Sequence, residues 1–186
     1  MNYKVILIIG ASGMLGQCFY KILKEEYMLA QVIGISRHGP DFNFDIYSES
    51  NDLINKIKFI NPDLIINCAA IVSIDECEKN FPHALYINSE FVKKLSIFCS
   101  STNCRLIQIS TDHYYSNQGN VLHDENHPVT LLNNYAKSKH QGEINALKNK
   151  NSIVIRTNIT GYRNQQNKPT FFEWLLASLR NKSELL

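Results

Sequence analysis

The sequence predicts an α/β protein: a doubly wound parallel sheet of the Rossmann type, wrapped by helices on both faces. Three observations predict it. Short apolar runs rich in β-branched residues alternate with segments of helical spacing from end to end. The first run, YKVILII (3–9), passes straight into a glycine turn, GASGMLG (10–16). Two later runs end in small or polar residues, NCAA (67–70) and STD (110–112), where such a sheet gathers its ligand-binding edge.

YKVILII has the unbroken hydrophobicity of a parallel strand buried on both faces. Gly10 allows a tight turn, Gly13 a close approach to the backbone, and Gly16 close packing of strand on helix. QCFYKILKEEY (17–27) is the first helix. A strand turning on glycines into a helix offers backbone N–H groups and a positive helix end to a phosphate. We therefore assign Gly10, Ser12, Gly13, Met14, Leu15 and Gly16 to phosphate binding. The spacing is G-x-x-G-x-x-G rather than G-x-G-x-x-G, and a tight turn without a ligand is the bland alternative.

QVIGIS (31–36) is a second strand and FNFDI (42–46) a third. SESNDLINKIKFI (48–60) is a helix with Leu53, Ile54, Ile57 and Ile60 on one face. DLIINCAA (63–70) is a fourth strand. Pro82 starts a helix whose stripe is Leu85, Asn88, Val92, Leu95 and Cys99. CRLIQIS (104–110) is a fifth strand, followed by a polar loop to about Asn133. A helix over 134–148, a sixth strand SIVIRT (152–157) and a last helix TFFEWLLASLR (170–180) complete the alternation. Right-handed crossovers then imply a parallel sheet wrapped on both faces, and the expected order is 3-2-1-4-5-6. That order brings Gly10–Gly16, Cys68–Ala70 and Ser110–Asp112 into one crevice.

Composition narrows the class. The chain has 186 residues, 44% hydrophobic and 19% charged, the size of one sizeable core. A net charge of +2 gives no reason to invoke nucleic acid or an anionic membrane. No apolar run approaches the ~20 residues that span a bilayer, and MNYKVILII reads as strand rather than signal peptide. Cys18, Cys68, Cys77, Cys99 and Cys104 form no C-x-x-C, which predicts reduced thiols in a cytoplasmic protein. His123 and His127 flank Asp124 and Glu125 in a loop ending at Pro128; with no third ligand indicated, no metal is assigned.

Tyr135 and Lys139 share a helical face at i and i+4. An ammonium beside a phenol favours phenolate, and a phenol so tuned exchanges a proton with a carbonyl near neutral pH. Tyr20 and Lys24 repeat the spacing on the first helix, where they read as surface positions. Thr111, at the end of the fifth strand, is either a turn hydroxyl or a donor to a substrate carbonyl. About 20 residues past the glycine turn, an acid would bind a ribose 2′-OH. Ser36, Arg37 and His38 stand there instead. Arg37 is either a solvated loop residue or the partner of the 2′-phosphate of NADP. Asn88 is either a satisfied buried amide or an active-site group.

GASGMLG, NCAA (67–70), STDH (110–113), YAKSKHQGE (135–143) and IRTNITG (155–161), in this order, resemble the extended short-chain dehydrogenase/reductases. More narrowly they resemble the dTDP-4-dehydrorhamnose reductase group. The resemblance implies a catalytic triad of Thr111, Tyr135 and Lys139. It implies hydride transfer from NAD(P)H to the C4 ketone of a nucleotide-linked 6-deoxy sugar, with Tyr135 as proton donor. Lys139 would hold the nicotinamide ribose and tune Tyr135, and Thr111 would orient the carbonyl. Asp45 and Ile46 resemble the adenine-contacting pair, and Cys68, Ala69 and Ala70 the cofactor-side strand end. Thr111 and Asp112 would contact substrate. The expected cofactor is NADP(H), with NAD(H) admitted; the expected partners are a nucleotide sugar and a second copy in a homodimer. The pathway implied is cell-surface polysaccharide synthesis, as in dTDP-rhamnose biosynthesis.

The related 4,6-dehydratases carry Thr-Asp-Glu where this chain has Thr111-Asp112-His113, which argues against a dehydratase. A nucleotide-sugar 4-epimerase, or a non-catalytic dinucleotide-binding regulatory subunit on the same fold, are the alternatives. Residues 1–186 are expected to form the NAD(P)-binding domain, with 160–186 the start of a truncated substrate-binding region. The family's small C-terminal lobe is then largely missing.

Overall fold

A computed structural model describes residues 3–115, 122–162 and 169–180. Six parallel strands run β1 (Val5–Ile9), β2 (Gln31–Ser36), β3 (Phe42–Asn43), β4 (Leu64–Asn67), β5 (Arg105–Ile109) and β6 (Ser152–Ile155). Their order is β3-β2-β1-β4-β5-β6, as expected for the dinucleotide-binding form of this fold. The helices are α1 (Met14–Glu26), α2 (Ser50–Ile60), α3 (Ile74–Lys79), α4 (Phe81–Leu85), α5 (Phe91–Thr102), α6 (Asn134–Ala146) and α7 (Phe171–Arg180). A π-helical turn, Tyr86–Glu90, joins α4 to α5. None of these helices is long and apolar enough to cross a membrane.

Alternation along β1 explains its uniform hydrophobicity. Leu7 and Ile9 face one core, with Ile33, Ile65 and Leu106, against Leu53 and Ile57 of α2 and Phe91, Val92 and Leu95 of α5. Ile6 and Ile8 face a second core with Val32, Leu64 and Ile66, covered by Phe19, Tyr20 and Leu23 of α1. With both faces buried, β1 has no polar side to show.

Besides shifts of a few residues at strand and helix ends, such as β6 stopping at Ile155 and α6 at Ala146, four departures from the expected boundaries have a plain local cause or bear on the ligand edge. β3 covers Phe42–Asn43 instead of 42–46, because Asp45 turns the chain: its Oδ1 accepts from the Tyr47 and Ser48 amides at 2.9 and 3.0 Å. β4 ends at Asn67, so Cys68–Ala70 follow the strand instead of finishing it. α1 starts at Met14, which places Met14–Gly16 in its first turn. The single helix expected around Pro82 is preceded by a separate one. Ser73 Oγ accepts from the Glu76 amide at 3.2 Å to start α3, and Asn80 Oδ1 accepts from the His83 amide at 3.2 Å to start α4. Residues 116–121 of the polar loop, 163–168 and the terminal NKSELL lie outside the described residues.

Candidate active site

At the carboxyl edge of the sheet the chain turns at Gly10, whose φ of 83° suits glycine. The Gly10 amide donates to Ile35 O at 2.8 Å, tying the turn to β2. A Cβ at Gly10 would lie 2.7 Å from Ala69 N, so the turn rests on the Cys68–Ala70 segment. A Cβ at Gly16 would lie 2.2 Å from Gly10 O, so the helix sits on the turn with no room to spare. Gly13 is the N-cap of α1, and no side chain caps the helix. The first-turn amides of Met14, Leu15 and Gly16 are thereby left to a ligand, with Ser12 and Gly13 exposed beside them. This cradle fits a pyrophosphate.

Ser36 ends β2 beside that turn. Its Oγ is buried without a hydrogen-bond partner among the described residues, and Arg37 next to it is exposed. An orphaned hydroxyl and an exposed guanidinium suit a ribose phosphate. Asp45 is half-buried; hydrogen bonds from Ser48 and Tyr47 outweigh desolvation and hold its carboxyl below the usual range, and the charge of Arg37 adds to this. Ile46 packs against the first core.

Deeper in the crevice, Thr111, Tyr135 and Lys139 are all buried. The Tyr135 phenol is pushed up by burial, opposed by a hydrogen bond with Thr111 and reinforced by Cys77 and Asp112. Lys139 Nζ donates to Ile109 O at 2.7 Å. Burial lowers Lys139 to about 8, against the carboxylate of Glu143 and the Cys68 thiol. Cys68 is itself pushed up to about 12 by burial. The expectation that Lys139 lowers the Tyr135 pKa is therefore corrected. The i, i+4 spacing puts both on one face, but the ammonium turns to the strand-end carbonyl, and burial sets the phenol. The surface pair does make the direct contact: Lys24 Nζ bonds Tyr20 Oη, and Tyr20 Oη bonds Asp41 at 3.1 Å.

Thr111 Oγ1 accepts from the His113 amide at 3.2 Å, so it is in part the turn hydroxyl considered above, and it faces Tyr135 as well. Asp112 Oδ1 is buried without a partner among the described residues. The His113 ring stands edge-on to Tyr135 at 5.9 Å. Asn88 is a satisfied clamp: it exchanges two 2.9 Å hydrogen bonds with the Ile71 backbone and donates to Ser138 Oγ at 2.9 Å.

Two supporting pairs went unassigned. Asn67 Nδ2 donates to Gln108 Oε1 at 2.8 Å, and Gln108 Nε2 to Ile109 O at 2.9 Å, the carbonyl that holds Lys139. Polar residues interrupting two apolar strands were the available signal; they are register partners across β4 and β5. Arg156 forks onto Glu143 at 2.8–3.2 Å, joining β6 to the helix that carries Tyr135 and Lys139. His123 and His127 lie 4.1 Å apart beside Tyr115. Among the described residues no group of three or more His, Cys, Asp or Glu is placed to hold a metal ion.

Known proteins are similar to this chain. The spore coat polysaccharide biosynthesis protein SpsK of Bacillus subtilis is 27% identical over 97% of this chain and 60% of its own length. The beta subunit of methionine adenosyltransferase 2 of Bos taurus is 30% identical over 77% of this chain and 43% of its own. A dTDP-4-dehydrorhamnose reductase of Clostridium acetobutylicum superimposes with a TM-score of 0.79 at 27% identity, over 95% of this chain and 60% of that one. The chain thus spans about 60% of the length of the first of these relatives. The RmlD substrate binding domain family matches residues 4–185, and the chain belongs to that family.

Proposed function

We propose that this chain is the dinucleotide-binding part of a reductase that takes NADP(H), and NAD(H) less well, and reduces the C4 ketone of a nucleotide-linked 4-keto-6-deoxy sugar. One observation carries the reading: an uncapped glycine turn rests on Cys68 and Ala69, and Cys68 interacts with Lys139 of the buried Thr111–Tyr135–Lys139 constellation. Met14–Gly16 amides hold the pyrophosphate, Ser36 and Arg37 the ribose phosphate, and Asp45 and Ile46 the adenine. Cys68, Ala69 and Ala70 line the ribose with small side chains. When bound, the reduced nicotinamide supplies the hydride to C4. Tyr135 gives its phenolic proton to the ketone oxygen. A phenol held above its ordinary range is protonated at neutral pH, as a proton donor must be. Thr111 aligns the carbonyl and stabilises the phenolate left behind. Lys139 holds the nicotinamide ribose, and Asp112 accepts from a sugar hydroxyl. Residues 160–186 begin the region that closes over the sugar.

The test follows nicotinamide fluorescence with a dTDP-4-keto-6-deoxy-hexose. Tyr135→Phe removes the proton donor and is expected to lower turnover by about a hundredfold or more while leaving NADPH binding intact. Equal turnover by both chains refutes the mechanism. The relative named as an adenosyltransferase beta subunit favours a second reading, a dinucleotide-binding subunit without turnover. NADPH binding without oxidation by the wild type supports that one.

A further inference from the structure

A polar cluster on the same edge has no part in this chemistry. Ser50 opens α2, Tyr86 opens the π-helical turn, and Lys94 lies in α5. The hydroxyls of Ser50 and Tyr86 share a short hydrogen bond. Lys94 Nζ donates to Ser50 Oγ at 2.8 Å, Asn51 Oδ1 at 3.1 Å and Tyr86 Oη at 3.2 Å. Ser50 is buried. The Ser50 bond holds the Tyr86 phenol below its ordinary range against partial burial, with help from Lys94. The Tyr47 ring stands edge-on to Tyr86 at 5.2 Å and to His83 at 4.5 Å.

These contacts grip one segment. Residues 45–49 leave β3 at the carboxyl edge, where the Phe44 amide donates to Ser36 O at 3.0 Å. The turn closes on itself through Asp45 N to Glu49 Oε2 at 2.7 Å and Glu49 N to Asp45 O at 2.9 Å. Ile46 anchors the segment to the first core, and Tyr47 and Ser50 attach it to the π turn, where Tyr86 touches both. Two residues along the same π turn, Asn88 grips Ile71, just past Cys68–Ala70. One π turn therefore holds both walls of the crevice, and π turns are frequent at functional sites.

We propose that Ser50, Tyr86 and Lys94 form a clasp that fixes the 45–50 wall and sets affinity for the adenosine half of the dinucleotide, without entering hydride transfer. The proposal rests on the dinucleotide reading above. Tyr86 and Lys94 are positioning residues, acting through the turn that Asp45 and Ile46 occupy. Loss of one clasp hydrogen bond is expected to weaken that half by about fivefold.

The experiment measures dissociation constants for NADPH, ADP-ribose and reduced nicotinamide mononucleotide in the wild type, Tyr86→Phe, Lys94→Met and Lys94→Arg. Tyr86→Phe and Lys94→Met are expected to weaken NADPH and ADP-ribose alike. The mononucleotide and the turnover at saturating NADPH stay unchanged, and Lys94→Arg restores affinity. Should Tyr86→Phe fail to fold, Lys94→Met makes the same comparison. Unchanged ADP-ribose affinity in the variants, or an equal loss for the mononucleotide, overturns the clasp while the dinucleotide reading stands. A wild type that binds neither NADPH nor ADP-ribose overturns both.

Discussion

Lys139→Met exchanges a buried ammonium for a thioether of similar length. The nitrogen donates to Ile109 O, which keeps a second donor in Gln108 Nε2 at 2.9 Å, so the substitution strands no carbonyl. Glu143 keeps its fork with Arg156. Folding carries the lysine from 10.5 to about 8. The unfolded chain therefore binds this proton more tightly than the folded one. Wild-type stability rises with pH between those two values, and below about 8 the cost is present in full. That cost is about 3 kcal/mol at pH 7 and falls below about 1 kcal/mol at pH 10. The variant escapes it but loses one hydrogen bond, worth about 1 kcal/mol. Lys139→Met should thus be about 2 kcal/mol more stable than wild type at pH 7, a rise in Tm of about 4–8 °C, and about equal at pH 10. Urea unfolding followed by circular dichroism at both values tests this, since other titrating groups are common to both chains. A variant less stable at pH 7, or a gap unchanged at pH 10, refutes the reasoning. Turnover should be lost in the same variant, the trade expected where function requires a buried charge.

Gly16→Ala puts a methyl 2.2 Å from Gly10 O, a backbone atom, so the turn must move; a loss of about 1–3 kcal/mol in thermal unfolding, with loss of NADPH binding, is the expected result. Arg37→Ala should weaken NADPH by about tenfold and leave NADH unchanged; titrations that weaken both alike remove the basis for the preference. Arg156→Met leaves the Glu143 carboxylate, whose side chain is 4% exposed, without its guanidinium. Denaturant midpoints should report a loss of about 3–5 kcal/mol, and adding Glu143→Gln should recover most of it.

What was legible in the sequence followed from local pattern. β1 reads as a two-faced buried strand because each residue of VILII packs on one core or the other. The parallel sheet covered on both faces follows from alternation and crossover handedness, and the strand order is the one expected of a dinucleotide-binding fold. Features that depend on distant atoms were not legible. The side chain of Lys139 could meet Tyr135 four residues back or Ile109 O thirty residues back, and spacing does not decide between them. Asn67 and Gln108 look like isolated defects until the β4–β5 register sets them side by side. α3 was missed because six residues carry too little periodicity, although Ser73 and Glu76 spell its cap.

Burial acts on Tyr135 and Lys139 in opposite directions and favours the neutral form of each. It raises Tyr135 and lowers Lys139. At neutral pH the phenol therefore keeps its proton, and the lysine sits close enough to its titration point for small changes around it to matter. Thr111 lowers the phenol's pKa through a hydrogen bond. A site built to take a proton from an alcohol would need the phenolate ready beforehand. Here the low-dielectric setting favours phenol, and the Thr111 bond supports phenolate only as the proton leaves. On the reductase reading proposed above, that asymmetry suits the phenol to giving a proton to a ketone oxygen at neutral pH, without altering the equilibrium between ketone and alcohol.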